Sequence, residues 1–137
     1  AGASKDQASD SGATPLLLAS QNGHLEVVQE LLTAGASKDQ ASDSGATPLF
    51  IASKNGHLEV VQELLTAGAS KDKAQDSGAT PLYVASQKGH LEVVHELLTA
   101  GASKDKAQDS GATPLYVASQ NGHLEVVQEL LTAGASK

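Results

Sequence analysis

Thr47-Pro48-Leu49-Phe50-Ile51-Ala52-Ser53-Lys54-Asn55-Gly56-His57-Leu58-Glu59-Val60-Val61-Gln62-Glu63-Leu64-Leu65-Thr66 is one copy of a stretch that occurs four times in the chain. Its opening Thr-Pro-Leu returns at Thr14, Thr80 and Thr113, and its Gly-His-Leu-Glu-Val-Val at Gly23, Gly89 and Gly122, a period of 33 residues. A fixed period of this length signals a stacked solenoid, because one unit cannot bury its apolar face without a neighbour. The units run 1–33, 34–66, 67–99 and 100–132, with a partial fifth at 133–137, and form one domain over residues 1–137. Four units exceed the roughly three that such arrays need for stability.

Within the second unit, Asp43-Ser44-Gly45-Ala46 is a cluster of turn formers. Thr47 follows as an N-cap and Pro48 as the first helical residue, which predicts a helix to about Asn55 that stops at Gly56. A second helix is predicted from about His57 to Thr66. Leu58, Val61, Leu64 and Leu65 recur there at helical spacing, and Glu59, Gln62 and Glu63 face solvent. Gly68, in a left-handed conformation, is expected to end it. Stacking should bury Leu49, Ala52, Val61, Leu64 and Leu65 between units. Ala52 is small enough to let neighbouring first helices approach closely.

This unit resembles the ankyrin repeat, whose signature joins a turn, T-P-L-H-x-A and a Gly-His-led second helix. The resemblance covers the whole chain. It implies an all-α ankyrin-repeat solenoid of helix-turn-helix units with hairpin-like loops at right angles, and a concave face of loop tips and first helices that binds other proteins. Two departures stand out. Leu17, Phe50, Tyr83 and Tyr116 occupy the position of the family's His, and Ser20, Ser53, Ser86 and Ser119 replace the second Ala of its Ala-Ala pair.

Eight Asp and eight Glu against nine Lys and no Arg give a net charge of −7, which argues against a nucleic-acid partner. Without Cys there is neither a disulfide framework nor a thiolate metal site. The longest apolar runs, such as Leu16-Leu17-Leu18-Ala19, are too short to cross a bilayer, and no signal segment is visible. A soluble protein compatible with the cytoplasm is expected. A start at Ala1 in place of Met suggests a trimmed chain.

Only seven of the 33 columns vary among the four units. Such uniformity favours an engineered, consensus-style array over a recently duplicated gene. In designed ankyrin binders, the resemblance implies, targets meet the turns and the end of the first helix. The candidate protein-binding residues are therefore Asp43, Ser44, Ala46, Phe50 and Lys54 in the second unit, Asp76, Ser77, Ala79, Tyr83 and Lys88 in the third, and Asp109, Ser110, Ala112 and Tyr116 in the fourth. The unchanged Asp-Ser-Gly-Ala turn looks like a blank surface. Leu17, Phe50, Tyr83 and Tyr116 are the best contact stripe, since Tyr offers area at low entropic cost, although packing between units is the more ordinary role for this column.

No reaction centre is legible. His24, His57, His90 and His123 form a ladder, but stacked helices lie roughly 8–10 Å apart, too far for imidazoles to share one ion. Each His is expected to fix the start of its own second helix, and His95 to be an exposed replacement for Gln. Glu26 and Glu30 and their equivalents should form a solvated outer face. Every candidate group occurs four times, whereas a catalytic site is singular. No enzyme activity, cofactor or metal is expected.

The end units keep the internal pattern instead of carrying polar caps. Leu16, Leu25, Val28, Leu31 and Leu32 at one end, and Leu115, Leu124, Val127, Leu130 and Leu131 at the other, include residues whose internal copies a neighbour should bury. Two functions are expected: a scaffold for a protein partner, which the resemblance implies, or, from the unmodified ends, a structural module that stacks head to tail on itself.

Overall fold

The computed structural model describes residues 5–137. The expected start of the first unit at Ala1 lies outside the described residues. Among the described residues eight helices run in four antiparallel pairs: α1 (Pro15–Gln21) with α2 (Leu25–Thr33), α3 (Pro48–Lys54) with α4 (Leu58–Thr66), α5 (Pro81–Lys88) with α6 (Leu91–Thr99), and α7 (Pro114–Gln120) with α8 (Leu124–Thr132). First helices pack on first helices and second on second, giving two layers of a solenoid. No strand occurs among the described residues, and the fold is all-α.

Local chemistry sets each boundary. Thr47 Oγ1 accepts a hydrogen bond from the Phe50 amide at 3.1 Å, and Pro48 occupies the first turn, where its missing N–H costs nothing. At the other end Asn55 is the cap and Gly56 takes φ 74°, so that its amide reaches Ser53 O and that of His57 reaches Ala52 O. The second helix ends in the same Schellman pattern around Gly68, φ 90°, with bonds to Leu65 O and Leu64 O. In the third unit Lys88 replaces the Asn that caps the other first helices, and α5 is eight residues long where its equivalents have seven.

The larger of two apolar clusters is one continuous seam between the helix layers. Leu49, Ala52, Val61 and Leu64 and their equivalents interlock along it, with Ala52 and Ala85 at zero exposure between first helices. Leu65 is only half-buried, whereas Val60, outside the expected stripe, is 1% exposed. The reason is that α4 packs on both α2 and α6, so its buried arc is wider than a single 3.6-residue stripe.

The ends also differ in part from expectation. At the first end Leu16 and Val28 are buried, Leu25, Leu31 and Leu32 are half-buried, and the exposed apolar side chains are Leu18 and Val27. Leu16 and Val28 point toward the second unit, not away from it, and belong to the first junction's core. At the last end Leu130 is buried, Leu115 and Val127 are half-buried, and Leu124, Leu131 and Tyr116 are exposed.

Candidate protein-binding surface

Between successive units the same set of polar contacts recurs. The turn amides of Asp43, Asp76 and Asp109 donate to Ser11 O, Ser44 O and Ser77 O of the preceding loop at 2.9–3.0 Å. Each turn closes on itself as well, with the Ser42 amide donating to Ala46 O and that of Gly45 to Ser42 O. Lower down, Asp39 Oδ1 accepts from the Ser70 amide at 2.8 Å, a pattern seen also for Asp6 with Ser37, Asp72 with Ser103, and Asp105 with Ser136. These bonds hold the loop tips in register as one ledge.

The histidine ladder works differently from the sequence expectation. None of the four makes a side-chain cap bond to its own helix. Instead the Nε2 atoms of His57, His90 and His123 lie 3.0 Å from Gln21 O, Lys54 O and Gln87 O, carbonyls of the preceding unit's first helix. They pair with carbonyls that the helix end leaves open, so each imidazole bolts one unit to the last. Asn55 and Asn121 donate to Gln21 O and Gln87 O beside them.

On the outer face Gln29 and Gln62 donate to Glu63 and Glu96 at 3.2 and 3.1 Å, and His95 Nδ1 meets Glu129 Oε2 at 2.8 Å in the equivalent place. His95 is exposed, as expected of a Gln replacement, but it takes over the Gln contact. Its pKa is raised, first by the hydrogen bond to Glu129 and then by that carboxylate's charge.

The loop ledge and the first helices enclose a shallow concave face. One depression, of about 390 Å³, lies between the first two loops and is floored by Leu17 and Phe50. The next, of about 210 Å³, is floored by Phe50 and Tyr83 and reaches Lys88. Asp43, Ser44, Lys54, Asp76, Lys88, Asp109, Ser110 and Tyr116 are exposed, while Ser77 and Ala112 are half-buried. Ala46, Phe50, Ala79 and Tyr83 are buried, at 6, 3, 4 and 5% exposure, in a small second core beneath the loops. These four support the face and offer little area to a partner. The column of Leu17, Phe50, Tyr83 and Tyr116 is thus packing in three units, and only Tyr116, 60% exposed, is open. The buried Tyr83 hydroxyl donates to Gln108 Oε1 at 3.1 Å, and burial followed by the Tyr116 charge raises its pKa.

Sequence reasoning missed Gln75, Gln108, Ile51 and Val84, which also line these depressions. The signal for them was the variation itself: five of the seven varying columns, those of Ser42, Phe50, Ile51, Lys54 and Lys88, contribute to the concave face.

The profile of the family described as ankyrin repeats (3 copies) matches residues 1–75 and again residues 69–137. The chain belongs to the ankyrin repeat family. Ankyrin repeats are generally protein-interaction modules. No curated protein sequence matches this ankyrin chain. Among the described residues of the ankyrin stack, no helix is long and apolar enough to cross a membrane, and no three His, Asp or Glu gather as a metal site.

Proposed function

We propose that this chain is a non-catalytic ankyrin-repeat scaffold, a single domain over residues 1–137, whose concave face contacts protein. The observation that carries the reading is the placement of variation. Twenty-six columns are identical in all four units, and most of the remainder line one face. The junction's Asp and His residues are among the invariant columns, whereas the columns of Ser42, Phe50, Ile51, Lys54 and Lys88, which line the depressions beside the unchanged turn, differ from unit to unit.

The contact set comprises the exposed Asp43, Ser44, Lys54, Asp76, Lys88, Asp109, Ser110 and Tyr116, flanked by Ser77 and Ala112. Ala46, Phe50, Ala79 and Tyr83 act beneath it by fixing its shape. Near-identity of the units and the unchanged Asp-Ser-Gly-Ala turn support an engineered, consensus origin and a surface not matured against one target. A protein target has no 33-residue period, so a matured face would vary from unit to unit.

The test is to randomise the exposed contact positions together in a display library and select against an unrelated globular protein. Binders that keep the far-UV spectrum of the parent and lose binding on reversion of those positions are expected. Selected binders that retain affinity after reversion, or turnover of a small substrate by the parent chain, would overturn the reading.

A further inference from the structure

The four units present three internal junctions and, at the two ends, the halves of a fourth. We infer that a second copy of this chain docks its first unit on the fourth unit of the first copy, head to tail, continuing the solenoid in register.

The complementarity is already drawn inside the molecule. A methyl placed on Gly23, Gly56 or Gly89 would meet the ring of His57, His90 or His123 at 2.7–2.8 Å, so the next unit's imidazole fills that space. At Gly122 the same position is open, with nothing within 4 Å. A methyl on Gly12, Gly45 or Gly78 would likewise meet the following Asp, and Gly111 faces nothing. His24 and Asp10 of an incoming copy are the residues these two berths are shaped for. In the docked pair His24 meets Gln120 O, the Asp10 amide meets Ser110 O, and Gln128 meets Glu30, each copying a contact made within the chain.

The apolar surface matches as well. Val27 is 49% exposed, whereas Val60, Val93 and Val126 are 1–2% exposed because a preceding unit covers them. Tyr116 and Leu131 are 60 and 41% exposed, and docking gives them the neighbour that Tyr83 and Leu98 already have. The faces are unlike, so the contact is heterologous and leaves a free end for a further copy.

One segment is present twice. Ala133–Lys137 repeats the sequence of residues 1–5, and it is seated: Ala135 is buried and the Ser136 amide donates to Asp105 at 2.8 Å. In register, Asp6 of the incoming copy follows Lys137 of the first, so the incoming residues 1–5 have no place in the junction. Removing them strengthens docking.

The test is molar mass by sedimentation against concentration. The parent, and at lower concentration a variant lacking residues 1–5, should rise above 13.9 kDa, more so with added salt because copies of charge −7 repel. Val27→Glu and Leu131→Glu, both at exposed positions, should each stay monomeric with the parent's circular dichroism. Mixed in equal amounts, they should form a dimer and nothing larger, one supplying the intact tail face and the other the intact head face. A mass that stays at the monomer value for the parent, 13.9 kDa, and likewise at the monomer value for the shortened variant overturns the inference. So does a mixture of the two Glu variants that remains monomeric, or either variant assembling alone.

Discussion

Ser20, Ser53 and Ser86 are fully buried, and their hydroxyls have no hydrogen-bond partner among the described residues. An unpartnered hydroxyl withdrawn from water costs roughly 1–3 kcal/mol by protein mutational data. Replacing Ser53 with Ala removes that cost. The vacated space, about 10–15 Å³ for one oxygen-sized probe, costs only ~0.3 kcal/mol at roughly 24 cal/mol per Å³. Alanine also favours the helix by up to about 0.5 kcal/mol. The balance is a gain of about 1–3 kcal/mol, read as a higher urea midpoint at unchanged slope by far-UV circular dichroism. Ser119 is the built-in control, since it holds the same column in α7 but is exposed. Ser119→Ala should move stability by no more than about 0.5 kcal/mol. Equal shifts for Ser53→Ala and Ser119→Ala, or a lower midpoint for Ser53→Ala, would mean that the buried hydroxyl is satisfied and carries no such cost.

His90→Ala removes the bond to Lys54 O and should lower stability by about 0.5–1.5 kcal/mol, while His24→Ala, whose ring has no such partner among the described residues, should change it by less than about 0.5 kcal/mol; parallel urea titrations decide. Ala52→Leu should destabilise by about 1–3 kcal/mol, because Ala52 has no exposed surface between α1 and α5, and thermal unfolding measures it. His95 has a folded pKa raised above its ordinary value, so its contribution is complete below the unfolded pKa of about 6.5 and is lost as pH rises through the higher folded value. NMR titration should find the His95 pKa falling toward the ordinary value in Glu129→Gln, and an unchanged value would contradict the pairing.

Much of this architecture was legible from the chain because its markers are local. Thr47 and Pro48 open a helix by capping and fixed φ, and Gly56 and Gly68 close helices by admitting a left-handed backbone. The all-α solenoid follows from their recurrence. The long-range partners were less legible. His57 sits where a cap is expected, and only the stacking of α1 beside it shows that its ring reaches Gln21 O. The candidate surface was found through its turns, yet the loops fold down over Phe50 and Tyr83, a burial that periodicity within one helix cannot register. Val27 and Leu16 carry no sequence mark of which way they face along the stack. That direction depends on the side from which the neighbour arrives.

One junction, repeated, builds both the stack and its ledge of loops, and residue-resolved hydrogen exchange in dilute solution reads that junction amide by amide. The amides of Asp43, Asp76 and Asp109 each donate to the preceding loop, whereas that of Asp10, in the same column, has no partner among the described residues. The expectation is slow exchange at Asp43, Asp76 and Asp109 and fast exchange at Asp10. Exchange at Asp76 as fast as at Asp10 would contradict it.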